Sequence, residues 1–194
     1  MSKVKYPIIL ASRSPWRKRL LRKHGIEVRI HVSNFEEMVK SARPRELVLH
    51  NAKGKARDVA RYYKNAIVIG VDTIGVLGKH ILGKPKNKSD ERRMIKMLAG
   101  TAHKVISGLC VINTKTGKEI SVVAVTKVVF RKIGAAELEK YLKSNHWSGK
   151  AGSYAIQGRA KGFVERIEGD VTNVIGLPMG VLKNILRKYF CIIF

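Results

Sequence analysis

The chain has 194 residues, of which 45% are hydrophobic, and its 39 Lys and Arg against 14 Asp and Glu give a formal charge of +25. This length and apolar content can bury one sizeable core, so we expect residues 1–194 to form a single domain or two tightly joined lobes. A disordered chain is disfavoured because Val, Ile and Leu recur in blocks. No run approaches the roughly 20 apolar residues that cross a bilayer, which argues against a membrane-spanning protein.

The strong positive charge favours polyanionic partners: nucleic acid, anionic membranes or phosphorylated small molecules. Basic residues are spread along the whole chain, and no basic tail or aromatic-interleaved basic run typical of a nucleic-acid module is present. A lysine-rich solvated surface is the alternative explanation. We therefore expect phosphorylated small molecules as partners, with neither nucleic acid nor a membrane.

The two cysteines, Cys110 and Cys191, are too few for a disulfide framework or a metal-binding knot. A protein with such sparse cysteine content is typical of a reducing compartment. The sequence therefore predicts a cytoplasmic protein.

Apolar runs and their punctuation predict alternating strands and helices. Ser14-Pro15 combines a favoured N-cap with a favoured first helical residue, and Ser89 is the predicted cap of a later helix. The run 66–71 is continuously apolar, as in a strand covered on both faces, and we expect it to end at Asp72-Thr73. The predicted strands are 6–11, 27–32, 66–71, 74–77, 103–113, 118–133 and 162–167. The predicted helices are 15–24, 45–64, 89–99, 135–144 and 178–189. This alternation predicts an α/β fold with a mixed sheet flanked by helices.

The first strand-to-helix turn is a candidate phosphate site. A helix N-terminus presents free N–H groups and the positive end of its dipole, which favour anions. Ser12, Ser14, Arg13 and Arg17 add donors around that point. The alternative is an ordinary capped helix with a basic outer face.

Three charged residues are candidates for the chemistry itself. Asp72 follows a buried strand, where open α/β sheets bind ligands, and a carboxylate there can hold Mg²⁺ or accept a proton from water. Lys84 offers a compact cation for phosphate oxygens, and Glu37, beside Glu36, offers a metal ligand. Each has a plainer alternative: a turn-capping acid, a solvated loop lysine and an acid pair that complements a helix dipole.

Gln157 is a candidate for reading a nucleotide base, because its amide both donates and accepts hydrogen bonds. A turn glutamine is the alternative. The sequence lacks GxxxxGK[ST], GxGxxG, HExxH and GxSxG, and its six histidines show no ligand spacing. Zinc-dependent and serine-dependent hydrolysis are therefore disfavoured.

Taken in order, eight stretches of the chain resemble the Maf family of nucleotide pyrophosphatases. They run from residue 10 to residue 178, and their joint order makes the match specific. The stretches are LASRSPWRKRLLRKHGI, VSNFEE, NAKGKA, VIGVDT, ILGKPKN, MLAGTAHKVISG, YAIQG and FVERIEGDVTNVIGLP.

The resemblance implies a mixed α/β fold with two lobes and a central cleft, related to the inosine triphosphatases. It implies hydrolysis of a nucleoside triphosphate to a monophosphate and pyrophosphate with Mg²⁺ or Mn²⁺, in a protein that is often a homodimer. The family's general base falls on Asp72, its lysines on Lys55 and Lys84, its acidic metal position on Glu37 and its arginine on Arg17. The family name reflects a link to inhibited septum formation, so the resemblance also implies a house-cleaning or division-arrest role.

Three positions that resemble the family's specificity residues point at different bases. Members acting on dTTP and UTP usually carry arginine after Ser-Pro. This chain has Trp16 there, and a tryptophan at this position resembles the members that act on 7-methyl-GTP. Thr73 and Gln157, in contrast, match the pyrimidine-type members. We expect pyrimidine or modified nucleotides as substrates and keep 7-methyl-GTP as an alternative. A second alternative is a basic, nucleic-acid-associated regulator without turnover.

Overall fold

The computed structural model describes residues 6–39, 43–143 and 151–193. The strands are β1 (Ile8–Leu10), β2 (Arg29–Ile30), β3 (Ile67–Leu77), β4 (His80–Leu82), β5 (Ala102–Asn113), β6 (Glu119–Phe130) and β7 (Val164–Glu168). The helices are α1 (Pro15–Lys23), α2 (Pro44–Ala60), α3 (Lys88–Leu98), α4 (Ala135–Leu142), α5 (Val171–Ile175) and α6 (Met179–Phe190). Six strands form one sheet in the order β2-β1-β3-β5-β6-β7, and β4 joins it by pairing with β3. The predicted α/β fold with a mixed sheet flanked by helices is confirmed.

One edge of β3 changes its neighbour partway along the strand. Parallel β1 pairs with β3 as far as Ile69, and antiparallel β4 pairs with it from Gly75 onwards. Among the described residues, no strand pairs with the intervening stretch 70–74 on that side. We call this stretch the sheet gap. Crevices of this kind, where strand neighbours diverge, are the usual ligand sites of open α/β sheets.

Helix α2 lies unusually close to the sheet because two glycines face it. A Cβ atom added to Gly70 would lie 2.2 Å from the carbonyl oxygen of Ala52, and one added to Gly108 would lie 2.2 Å from that of Val48. Only glycine permits this approach of backbone to backbone. Because Gly108 pairs with Asp72, the close crossing brings α2 directly over that acid.

Hydrophobic clusters pack on both faces of the sheet, and a further cluster lies apart from them. On one face of the sheet, residues such as Ile69 pack with Leu21 of α1 and Leu186 of α6, and on the other face Val68 packs with Ala56 of α2. A further cluster, which we call the second core, lies around α3, α4 and the end of β6. Its members are Leu82, Met94, Ile95, Leu98, Val105, Val128, Phe130, Leu138, Tyr141, Leu142, Tyr154, Ile156, Ala160 and Phe163.

The prediction that the buried strand ends at Asp72 was wrong. Strand β3 runs unbroken through Asp72, since antiparallel pairing with β5 continues from Ile67 to Val76. Tertiary pairing here overrides the low strand preference of aspartate. The acid therefore lies inside a strand, and its access to ligand comes from the sheet gap.

Other element boundaries differ in smaller ways. Helix α3 is capped by the side chain of Asn87, whose oxygen accepts the Asp90 N–H, and not by Ser89. The short elements β4 and α5 and the 3₁₀ turns Ala151–Ser153 and Arg159–Phe163 were not predicted, because so few residues show no periodicity. The predicted helix 135–144 extends to a residue outside the described ranges. No helix in the described part of the chain has the length and apolarity to cross a bilayer.

Candidate active site

A cleft of about 1270 Å³ opens over the sheet gap. Its walls come from the turn after β1, the segment before α2, helix α2, strand β3, the loop after β4 and the loop before β7. All ten sequence-predicted site residues line it: Ser12, Ser14, Trp16, Arg17, Glu37, Lys55, Asp72, Thr73, Lys84 and Gln157. Ligand pockets are ordinarily about 300–1,000 Å³, so the cleft has room for a nucleotide.

Asp72 is held at the floor of the cleft by two side chains of α2. Its carboxylate is 7% exposed. Oδ1 accepts a hydrogen bond from Lys55 Nζ at 2.9 Å, and Oδ2 accepts one from Asn51 Nδ2 at 3.1 Å. Because an ionised carboxylate has about four acceptor positions, these bonds fix its orientation and leave others for a ligand.

Lys55 lies between two acids. Its ammonium is 2.9 Å from Asp72 Oδ1 and 3.0 Å from Glu37 Oε1, and it also donates to the carbonyl oxygen of Val71 at 3.5 Å. The lysine is buried, whereas Glu37 is exposed at the cleft surface. Two carboxylates therefore converge on one cationic position, which the side chain of Lys55 fills.

Asn51 is a site residue that sequence reasoning missed. Its amide is buried and joins three groups, since Nδ2 donates to Asp72 and to the carbonyl oxygen of Met38, and Oδ1 accepts the Met38 N–H. The signal was available, because Asn51 opens the stretch NAKGKA and precedes Lys55 by one helical turn. A single asparagine in a helix does not reveal such a role without its non-local partner.

Arg17 binds the protein around the sheet gap. Nε donates to the carbonyl oxygen of Gly176 at 2.8 Å, Nη1 to Ser12 Oγ at 2.8 Å and to the carbonyl oxygen of Val71 at 3.2 Å, and Nη2 to Thr73 Oγ1 at 3.2 Å. Burial lowers the pKa of the guanidinium from its ordinary value, and the negative charges of Asp72 and Glu37 act in the opposite direction. Four of its five N–H donors are thus committed to holding the walls together.

Ser12, Ser14 and Thr73 form the hydroxyl lining beside Arg17. Ser12 Oγ accepts the Ser14 N–H at 3.2 Å, and Ser14 caps α1 by accepting the Arg17 N–H at 3.5 Å. Thr73 Oγ1 lies 2.9 Å from Ser107 Oγ. The predicted helix N-terminus therefore opens directly into the cleft, with its capping serine at the mouth.

Trp16, Lys84 and Gln157 lie along the outer walls. In the described part of the chain, none of them has a hydrogen bond or ion pair to the Asp72 cluster. Lys84 and Gln157 are exposed, and Trp16 is half-buried with the Arg19 guanidinium 4.9 Å from its ring centroid. These three residues thus belong to the rim of the cleft, apart from the ionic groups around Asp72 at its floor.

The acids of the floor fit a hard divalent cation. Within the described ranges, no group of three or more His, Cys, Asp or Glu side chains could hold a metal without further ligands. Mg²⁺, however, is usually bound by one or two carboxylates together with substrate phosphates and water. Glu37 and Asp72 are the two carboxylates of the cleft available to such a cation, and both contact the Lys55 ammonium.

The fold and the cleft define a mixed α/β protein with an acidic floor and basic walls. Residues 7–189 match the family described as Maf-like protein, and the chain belongs to that family. The dTTP/UTP pyrophosphatase of Alkaliphilus metalliredigens is 43% identical over 185 residues, which cover 94% of this chain and 96% of that protein. The dTTP/UTP pyrophosphatase of Pyrococcus abyssi is 40% identical over 183 residues, covering 94% and 96%. Among solved structures, the Staphylococcus aureus Ham1 protein has 11% identity and a TM-score of 0.46, covering 64% of this chain and 71% of that one.

Proposed function

We propose that this protein is a metal-dependent nucleoside triphosphate pyrophosphatase that converts NTPs and dNTPs to monophosphates and pyrophosphate, with dTTP and UTP as its substrates. The observation that carries the proposal is the oriented carboxylate of Asp72 at the floor of a cleft with cationic walls. Relatives named dTTP/UTP pyrophosphatase, about 40% identical over nearly the whole chain, support it.

Glu37 and Asp72 are the residues that would hold Mg²⁺ or Mn²⁺. When bound, such a cation neutralises phosphate oxygens and polarises the reacting phosphorus. When no divalent cation is bound, Lys55 keeps the two carboxylates close to each other, because the Lys55 ammonium contacts both. The two carboxylates therefore already lie near each other before a cation binds.

The phosphate chain is proposed to bind between the α1 N-terminus and Lys84. The free N–H groups of the first helical turn favour anions, and Lys84 offers an exposed ammonium across the cleft. Arg17 adds one uncommitted N–H and the field of its positive charge. Such fixed donors supply most of the rate in phosphoryl chemistry.

Asp72 is proposed to orient a water molecule and accept its proton. The water oxygen attacks the α-phosphorus, a new P–O bond forms, and the bond to the bridging oxygen breaks with release of pyrophosphate. Asn51 and Lys55 hold the carboxylate so that a free lone pair faces the cleft. General-base assistance of this kind contributes about 10²–10⁴-fold.

The rim supports an uncharged base. Gln157 is an exposed neutral amide able to read a pyrimidine edge, and the hydroxyl of Thr73 is bonded to Arg17 and Ser107. One observation favours a second candidate, 7-methyl-GTP: the indole of Trp16 lines the cleft, and a cationic base stacks well on an indole. Among the described residues that line the cleft, the only carboxylates are those of Glu37 and Asp72, which meet at Lys55.

Pyrophosphate release across a nucleotide panel tests both candidates. We expect release from dTTP and UTP that requires Mg²⁺ or Mn²⁺, with slower release from 7-methyl-GTP. Fastest release from 7-methyl-GTP would favour the second candidate. No release from any nucleotide, together with salt-sensitive binding to duplex DNA, would favour a nucleic-acid-binding regulator and overturn the proposal.

We also propose a cytoplasmic homodimer with a house-cleaning role. The family resemblance supports the dimer, and both cysteines are free, Cys110 buried and Cys191 exposed, as in a reducing compartment. Sedimentation equilibrium tests the dimer, and a fluorescent fusion tests the location.

A further inference from the structure

Residues 33–39, which carry Glu37, lie along one stripe of α2. We call this segment the strap. Its contacts on the helix include Asn51, Gly54, Lys55 and Asp58, which follow one another at helical spacings of three, one and three residues, and the ring of His50, four residues before Gly54, packs against Phe35. Residues at such spacings share one helix face, so the helix presents a continuous seat for the strap.

The two ends of the strap are fixed by hydrogen bonds. Asp58 Oδ2 accepts the Ser33 hydroxyl at 2.8 Å and the Asn34 N–H at 2.7 Å. At the other end, Asn51 bonds both the N–H and the carbonyl oxygen of Met38. The Ser33 hydroxyl is the largest of the influences that lower the pKa of Asp58, so that carboxylate is ionised at neutral pH.

The middle of the strap is seated by an aromatic ring on a glycine. A Cβ atom added to Gly54 would lie 2.3–2.5 Å from three ring atoms of Phe35, far inside van der Waals contact. Glycine inside a helix costs about 1 kcal/mol relative to alanine. The absence of a side chain at Gly54 leaves room for the Phe35 ring against the helix backbone.

We propose that Gly54, Phe35 and Asp58 are positioning residues that seat the strap on α2 and thereby fix Glu37 beside Asp72. The inference rests on the proposed function, in which Glu37 helps to hold the divalent cation. The three residues set the affinity for Mg²⁺ and leave turnover at saturating Mg²⁺ nearly unchanged, because Gly54 and Asp58 do not line the cleft and Phe35 contributes only an apolar ring to its wall. Supporting contacts of this kind typically contribute about 10- to 100-fold in metal affinity.

Gly54→Ala tests the seat directly. The new Cβ meets the far end of the Phe35 ring, a side chain that can shift, and not the helix backbone, and the helix itself gains intrinsic stability. We expect the Mg²⁺ concentration for half-maximal pyrophosphate release to rise about 10-fold or more, with kcat at saturating Mg²⁺ within about 3-fold of wild type. Gly54→Ala combined with Phe35→Leu removes the collision and should recover much of the Mg²⁺ affinity.

Gly180→Ala is the matched control. Gly180 also lies in a helix, and the nearest atom to an added Cβ is Asp170 Oδ2 at 4.0 Å. The same chemical change there should leave the Mg²⁺ requirement unaltered. A shift of equal size in both variants would overturn the proposal.

Amide hydrogen exchange supplies a measurement without substrate or metal. In wild type the Asn34 and Met38 amides are bonded to Asp58 and Asn51, so they should exchange slowly. In Gly54→Ala they should exchange about 10-fold faster, while the amides of β3 keep wild-type protection.

The outcomes separate the two proposals. If wild type releases no pyrophosphate, the proposed function fails, and faster exchange in Gly54→Ala alone still supports the strap. If Gly54→Ala is too unstable to measure, the same measurements are made on Asp58→Ala, which releases the strap at its Ser33 end. Unchanged strap exchange in the folded variants, or an unchanged Mg²⁺ requirement in an active enzyme, overturns the inference.

Discussion

The cleft floor and the second core treat buried polar groups in opposite ways. In the floor, the buried side chains of Asn51, Lys55 and Asp72 have partners. Away from the cleft, both carboxylate oxygens of Glu91 and Nδ1 of His103 are buried without a hydrogen bond among the described residues. The floor therefore retains charges by pairing them, whereas the second core suppresses them.

The pKa shifts express this difference. Burial raises the pKa of Glu91 to about 7 and lowers that of His103 to about 4, so both residues favour the neutral form. The His103 ring still contacts Tyr154, whose hydroxyl lies 2.6 Å from Nε2. The paired charge of the floor is proposed to serve ligand binding, and the suppressed charge of the second core is expected to make stability depend on pH.

The largest expected effect is a loss of turnover when the ion pair between Asp72 and Lys55 is broken. Asp72→Asn should still fold, because an amide can occupy the same space and Lys55 keeps its ion pair with Glu37, and it should lower kcat by about 10²–10⁴-fold. Pyrophosphate release under saturating Mg²⁺ measures it. Glu165→Gln, an exposed acid paired with Arg166, is the control. Near-wild-type turnover of Asp72→Asn would remove the assignment of the base.

Lys55→Met should destabilise the floor. Without the ammonium, the buried carboxylate of Asp72 loses its cation, and breaking a buried pair costs about 3–5 kcal/mol. Added Mg²⁺ should restore part of the loss if Glu37 and Asp72 bind it. Urea unfolding with and without Mg²⁺ measures both effects, and Lys53→Met on the same helix is the control. No Mg²⁺-dependent recovery would argue against the proposed metal position.

Glu91→Gln should reveal the suppressed charge of the second core. Glu91 stays protonated in the folded protein up to pH 7 and ionises near pH 4.5 when unfolded, so its contribution to stability falls as pH rises through that window. The slope is about 1.4 kcal/mol per pH unit. The free energy of unfolding of the variant should therefore rise relative to that of wild type from pH 4.5 to 7. Above pH 7 it should remain roughly 2–4 kcal/mol higher than that of wild type.

His103 gives the opposite slope and explains why the effect is hidden in wild type. Its folded pKa is depressed, so its contribution to stability rises with pH between about 4 and 6.5. In wild type the two slopes oppose each other over this range, whereas in Glu91→Gln the rise should stand alone. Urea unfolding at half-unit pH steps measures both curves. A constant difference between the two proteins at all pH values would contradict the prediction.

The smallest expected effect lies at the rim. Trp16→Arg should change dTTP and UTP turnover by less than about 3-fold and lower 7-methyl-GTP turnover by about 5-fold, because stacking on a cationic base is worth about 1 kcal/mol. The kcat/KM values for the three nucleotides measure it. A large loss with pyrimidine nucleotides would instead place Trp16 against every base.

Motif order grouped side chains that the structure brings together, but it did not predict the course of the strand. The cluster of Asp72, Lys55 and Glu37 was expected from the family resemblance, and the structure places them in contact. The continuation of β3 through Asp72 was not expected, because it depends on pairing with β5, which lies over thirty residues further along the chain. Non-local pairing of this kind leaves no signal in a short window of sequence.

The burial of Glu91 could have been predicted from the sequence but was not. It precedes the buried Met94, Ile95 and Leu98 by three, four and seven residues, which places it on the buried stripe of α3. An acidic residue within such a stripe predicts either a hidden partner or a suppressed charge. Distinguishing these two required the packing of the second core.

The sheet gap has a consequence for how the protein behaves in concentrated solution. An open stretch of strand exposes backbone groups to which a strand of another molecule can add, the usual first step of aggregation. Here the Val71 carbonyl oxygen already accepts from Arg17 and Lys55. The two cations that shape the cleft thus also cover the backbone that the gap leaves bare, and their loss should cost solubility as well as activity.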